Sequence, residues 1–184
     1  QMVVDAFLEL YGDSKDHLLI LKVDGRNTTR LKDRSGSIVG DIRNKKNIKI
    51  IDRKMPEPEL INLFRSVNAM VYPSYGEGFG LIPLQSMAAG VPTICTESWA
   101  PYRDFIIPEL RLDSELIKSP WPHMHPGKMF QPSYSDLLNS MQYAEENETK
   151  VTSQARANAL DIHKRYDWVR LTEEAFTEVV NKFA

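Results

Sequence analysis

"YGEGFGLIPLQSMAAGVPTI", Tyr75 to Ile94, sits near the middle of a 184-residue chain, between two apolar runs. Gly76, Gly78 and Gly80 strip side chains from a hinge that also carries the carboxylate of Glu77, and Gln85 follows eight positions after that acid. Gly90 and Pro92 then close the helical run "PLQSMAAG". A glycine-rich hinge between strand and helix supplies tight turn geometry even where nothing binds. The same hinge suits phosphate or sugar oxygens, because bare backbone N–H groups and the positive end of the following helix converge there. The spacing is G-x-G-x-G, which is not the dinucleotide fingerprint. Spacing alone leaves turn and ligand mouth equally open.

Outward from the hinge, "AMVYPS" reads as a strand ended by Pro73, and "PTICT" as the next strand. Upstream, "HLLILKVDG" and "NIKIID" read as strands, separated by a polar stretch from Arg26 to Asn47 in which "SIVGDIRNKK" is partly helical. "PEPELINLFRSV" has prolines and acids at its start and Leu60, Leu63, Phe64 and Val67 at helical spacing. "PYRDFIIPEL" gives a helical turn, and Leu110 to Leu112 a short strand. Apolar strands alternating with helices predict an α/β fold, a Rossmann-like parallel sheet with helices on both faces. In such a sheet ligands bind beyond the carboxyl ends of the strands, where the hinge lies.

The ends of the chain are helical. "QMVVDAFLELYGD" opens in what reads as mid-helix, with Val3, Ala6, Phe7 and Leu10 on one face. With Gln1 rather than Met in first place, the chain is expected to be a piece of something longer. From Ser133 a helical tail is expected: a capping box of Ser133 and Asp136, then "TSQARANALDIHKRY", then a helix with Trp168, Leu171, Ala175, Val179 and Phe183 on one side. Trp168 is expected in the core. The Pro-rich "SPWPHMHPGKMFQP" reads as a surface loop.

Composition supports a single domain spanning 1–184, with its helical tail from about residue 133. Net charge is -2 and the isoelectric point about 6.1, which gives no argument for nucleic acid as a partner. The single cysteine, Cys95, forms no internal disulfide and lies in an apolar run, so packing is expected of it. His123 and His125 form an H-x-H without a clear third ligand, a poor metal site. Basic "RNKKNIK" reads as a solvated turn, Asp104 as a helix cap or ligand contact, and Trp99 as a residue near the hinge.

The stretch "SVNAMVYPSYGEGFGLIPLQSMAAGVPTI" resembles the signature of retaining GT-B glycosyltransferases of the family 4 (glycosyl transferases group 1) type, in which two acids stand eight residues apart. "LLILKVDG", "IKIIDRKMPEPELINLFRSV" and "RYDWVRLTEEAF" are similar to its flanking strands and helices, so the resemblance covers nearly the whole chain. It implies the C-terminal, donor-binding half of a GT-B enzyme, with the acceptor-binding N-terminal half absent. Carried onto this sequence, Glu77 is the catalytic acid that contacts the transferred sugar. Gly78, Phe79, Gly80 and Leu81 face sugar and diphosphate, Gln85 replaces the acid that binds the nucleotide ribose, and Arg53 and Met55 fall where the base pocket is lined.

The resemblance further implies a nucleotide-diphosphate sugar as substrate, most simply a UDP- or GDP-sugar, with no metal and no other cofactor. The acceptor would be a glycan, lipid or protein, held mainly by the absent half, through which peripheral membrane contact is also allowed; a cytoplasmic location is expected. An Arg and a Lys that the family places ahead of the first helix would be absent, so the isolated chain is expected to be inactive. A sugar-nucleotide epimerase, a glycan phosphorylase and a non-catalytic nucleotide-sugar-binding module are the rival readings.

Overall fold

The computed structural model describes residues 2–23 and 45–183. The expected helical piece of "SIVGDIRNKK", the Asp24-Gly25 turn and most of the polar stretch lie outside the described residues. The chain opens with helix α1 (Met2–Tyr11), which buries Val4, Ala6 and Phe7. Strand β1 (Leu19–Val23) pairs in parallel with β2 (Ile48–Asp52), Leu19 opposite Ile48 and Val23 opposite Asp52. Helix α2 (Glu57–Arg65) follows, with Pro58 near its start, Glu57 and Glu59 in its first turn and Arg65 in its last, charges that favour its dipole.

A second parallel sheet runs β3 (Met70–Tyr72), β4 (Thr93–Thr96), β5 (Arg111–Leu112), in that order. Helix α3 (Leu81–Ala88) connects β3 to β4. Every residue of β4 is buried, as a strand covered on both faces requires. Its Ile94 and Cys95 share one buried core cluster with Tyr102, Leu110, Leu112 and Leu137. Two 3-10 turns, Arg103–Phe105 and Pro108–Leu110, fill the step where one helical turn is expected. The fold class is therefore α/β, parallel sheets flanked by helices with helices at the C-terminal end, as the sequence predicts.

Three expectations are corrected. The Pro-rich stretch is not all loop: its last five residues form β7 (Lys128–Pro132), paired antiparallel with β6 (Ser114–Lys118) just ahead of the stretch, Leu116 opposite Phe130. Pro120, Pro122 and Pro126 all fall in the connection between the two strands, where a missing N–H costs no ladder bond. The composition marks the turn and masks the flanking strands.

Helices α4 (Tyr134–Glu146), α5 (Glu148–Arg165) and α6 (Trp168–Phe183) complete the chain. Ser133 caps α4 by accepting from the N–H of Asp136, but Asp136 turns to the N–H of Asp113 instead of closing the box. Trp168 is not in the core; it is 80% exposed, and no residue of α6 is buried. Helical spacing fixes which residues share a face but not whether anything covers it. The start of α6 is fixed by polar contacts: the Arg170 guanidinium donates to the carbonyls of Lys164 and Arg165, at 3.2 and 2.9 Å, and also pairs with Glu174.

Candidate functional site

Beyond the carboxyl end of β3 the hinge is built around two residues of its own segment. Tyr72, the last residue of β3, and Ser74 both donate to the same oxygen of Glu77, Oε1, at 2.7 and 2.9 Å. Ser74 Oγ also accepts from the N–H of Gly76 at 3.3 Å, which curls the chain so that Glu77 returns toward its own strand. The second carboxylate oxygen accepts no hydrogen bond from the described residues. Burial raises the Tyr72 hydroxyl well above its usual range, and the bond to Glu77 and its charge add to the effect. Tyr72 is thus a permanent donor to the carboxylate at physiological pH.

Gly80 ends the hinge and caps α3 with φ of 77° and ψ of 56°, the left-handed conformation that glycine adopts without steric cost. Its carbonyl accepts from the Tyr102 hydroxyl and, at 3.4 Å, from the N–H of Leu84. Trp99 donates its indole N–H to the carbonyl of Ser74 at 2.9 Å, and its ring stands perpendicular to Tyr102 with centroids 6.4 Å apart. A Cβ at Gly80 would overlap the Tyr102 hydroxyl and come within 2.5 Å of Trp99 Cζ3, whereas Gly76 and Gly78 have open space. Two aromatic side chains from the far side of β4 therefore clamp the hinge at both ends.

Phe79, Leu81 and Ile82 project outward, 39%, 61% and 46% exposed, around the free N–H groups of the α3 N-terminus. Phe79 leans edge-on against Tyr102 and Tyr166. Gln85, one turn along α3, is exposed and its side chain bonds to none of the described residues. Glu77, Gly78, Phe79, Gly80, Leu81 and Gln85 are thus brought together as one loop and helix start.

Arg53 and Met55 follow β2, in the other parallel sheet. The guanidinium of Arg53 is paired with Glu59 of α2, which lowers the Glu59 carboxyl through that hydrogen bond, and Met55 is half-buried. Asp104 lies inside a 3-10 turn and caps no helix among the described residues. Cys95 is fully buried, and burial pushes its thiol up to about 12, with the Glu77 charge adding to it. Among the described residues no group of three or more His, Cys, Asp or Glu is placed to hold a metal ion.

Sequence reasoning passed over Tyr72, Ser74, Trp99 and Tyr102 as the holders of the hinge. The first two carried a signal, since Tyr72 and Ser74 stand two apart at a strand end and so share a face. A cleft of about 630 Å³ opens beside them, with Tyr72, Ser74, Tyr75, Trp121 and Tyr134 in its wall. No helix of the described residues is long and apolar enough to cross a membrane.

The family model described as "Glycosyl transferases group 1" matches residues 4–119. Among curated relatives, O-antigen chain mannosyltransferase B of Escherichia coli is 35% identical over 66 residues, 36% of this chain and 16% of that protein. D-inositol 3-phosphate glycosyltransferase of Arthrobacter sp. (strain FB24) is 49% identical over 39 residues, 21% of this chain and 9% of that protein. Among solved structures, sucrose-phosphate synthase from Thermosynechococcus elongatus superposes with a TM-score of 0.57 at 16% identity. That match covers 95% of this chain and 49% of the synthase, a likeness of fold over about half the larger chain's length.

Proposed function

The chain belongs to the glycosyl transferases group 1 family, and from that premise we infer that it is the donor-binding domain of a retaining glycosyltransferase. Its substrate on this reading is a nucleotide-diphosphate sugar, and the sugar passes to a hydroxyl of a glycan, lipid or protein. The observation that carries the reading is the posture of Glu77: one oxygen pinned by Tyr72 and Ser74, the other unbonded, beside a helix N-terminus opened by a left-handed glycine.

In the reaction, the bond between the anomeric carbon and the diphosphate oxygen breaks, and a bond from that carbon to the acceptor oxygen forms on the same face. The acceptor proton goes to the departing diphosphate. Glu77 fixes the sugar hydroxyls and, with one oxygen held by two donors, opposes the positive charge that grows on the ring. The N–H groups at Phe79, Gly80 and Leu81, with the positive end of α3, face the negative charge that grows on the leaving group. Gln85 offers a neutral carbonyl to the ribose where a carboxylate would bind more tightly. Arg53 and Met55 take a base-lining role only if Arg53 exchanges Glu59 for the nucleotide.

Replacing Glu77 by Gln in the full-length protein tests the assignment. Transfer from a UDP- or GDP-sugar is expected to fall by roughly 10²-fold or more, with donor affinity changing far less, on the scale seen when one preorganised transition-state contact is removed. Unchanged turnover in Glu77→Gln would reduce the hinge to a binding element, and wild-type protein that binds nucleotide sugar without turning it over would leave only the non-catalytic module.

A further inference from the structure

Phe79 is the one residue between Glu77 and Leu81 that has a side chain, since Gly78 and Gly80 flank it. Whatever holds its ring therefore also sets the peptide planes of the bare backbone on either side. The ring is 39% exposed, yet two tyrosines meet it edge-on. Tyr102, from the core, stands with centroids 5.8 Å apart and planes at 63°. Tyr166, from the far end of α5, stands at 6.0 Å and 78°. Tyr102 also grips the hinge through the Gly80 carbonyl. Tyr166 reaches the hinge through Phe79.

Tyr166 is held by backbone and ring together. Its N–H closes α5 by donating to the carbonyl of Ile162 at 2.8 Å. Its ring lies against Phe105 with centroids 6.2 Å apart, and the Arg165 guanidinium stands over both, 5.8 Å from the Tyr166 centroid and 5.5 Å from that of Phe105. The Asn158 amide donates to the carbonyl of Phe105 at 2.9 Å, which ties α5 to the turn that carries this ring. His163 Nε2 donates to the carbonyl of Ala88, also at 2.9 Å. One helix thus holds the last residue of α3 and, at Tyr166, the ring just ahead of its first turn.

Resting on the glycosyltransferase reading, we propose that Tyr166 is a positioning residue for the hinge. It acts through Phe79 and so sets the N–H groups at Phe79, Gly80 and Leu81 that face the donor's diphosphate. The second helix of the C-terminal tail is on this account part of the donor apparatus and not only a brace of the core.

The test uses full-length protein with Tyr166→Leu, Tyr166→Phe, Phe79→Leu and the Phe79→Leu, Tyr166→Leu double variant. Val151→Ala, near the start of α5 and buried, controls for loss of stability alone. UDP and GDP are titrated by calorimetry well below the melting temperature. Amide exchange is followed by mass spectrometry over residues 76–84, where the N–H groups of Gly76 and Leu84 are bonded. Tyr166→Leu is expected to weaken the nucleotide that the wild type binds by about fivefold, the scale of one edge-on ring pair. It should also speed exchange in the hinge peptide several-fold. Tyr166→Phe, which keeps the ring, and Val151→Ala should both match wild type. In the Phe79→Leu background, Tyr166→Leu should change affinity by less than about twofold, because the path it acts by is gone. Additive losses in the double variant, wild-type exchange of the hinge peptide in Tyr166→Leu, or an equal loss in Val151→Ala overturns the proposal. Faster hinge exchange in Tyr166→Leu, in a protein that binds neither nucleotide, would sustain the positioning and defeat the donor reading. Unchanged exchange with undiminished nucleotide binding would do the reverse.

Discussion

Gly80→Ala isolates the physical basis of the hinge. At φ of 77° and ψ of 56° the backbone is left-handed, which costs a residue with a Cβ about 1–2 kcal/mol. The new methyl would also approach Trp99 Cζ3 to 2.5 Å and Cη2 to 2.9 Å and overlap the Tyr102 hydroxyl, so both rings must move. Forcing extra volume into a packed site costs roughly another 1–3 kcal/mol. Displacing Tyr102, which has no exposed surface, breaks its bond to the Gly80 carbonyl and leaves a buried hydroxyl unpaired, at about 1–3 kcal/mol. These contributions overlap, and a net loss of about 3–5 kcal/mol is expected, lowering Tm by roughly 8–15 °C for a chain of this size. Thermal unfolding followed by circular dichroism measures it, with Gly76→Ala and Gly78→Ala as controls. Both control sites have open space and no positive φ, so both should stay within about 0.5 kcal/mol of wild type. A Gly80→Ala protein that melts within 2 °C of wild type would refute the view that Trp99 and Tyr102 clamp the hinge.

Three further outcomes are expected. Tyr72→Phe removes a donor from Glu77 Oε1 without removing the ring, so kcat of the full-length protein should fall several-fold while stability changes by no more than about 1 kcal/mol. Gln85→Glu restores a charged acceptor for the ribose, and nucleotide affinity by calorimetry should tighten about tenfold; no change would remove Gln85 from the nucleotide contact. Cys95, buried with its thiol pushed up to about 12, should be inert to a thiol-disulfide reagent at pH 8 and react at once in denaturant, since the thiolate population at that pH is negligible in the folded chain. Rapid labelling of native protein would count against the packing of β4.

What was legible in the sequence was local. The hinge announced itself through three glycines and an acid within six residues, and the α/β class through short apolar runs alternating with helical spacing. What was illegible was assembled across the chain. Trp99 reaches back 25 residues to Ser74, and Tyr102 reaches back 22 to Gly80. Neither partner can be read from spacing, because the meeting depends on how β4 lies beside β3. Arg53 shows the same limit in reverse: a cation that the resemblance assigns to a base pocket lies against Glu59, a carboxylate six residues on. Trp168 carried a helical signal that was correct about its face and silent about what covers it.

The same division separates the hinge from the cleft beside it. A donor whose phosphates and sugar are held by backbone N–H groups needs little beyond a contiguous glycine-rich string, and such a string survives as a motif that any reader of the sequence can find. The cleft beside it draws on α1, the end of β3, the tip of the β6–β7 hairpin and the start of α4. No single stretch encodes that combination, although the end of β3 belongs to both, since Tyr72 and Ser74 also hold Glu77. Exchanging residues 119–127, which join Ser119 and Gly127 across one 2.9 Å backbone bond, should therefore leave Gly80, Glu77 and their holders in place, with donor affinity by calorimetry close to wild type.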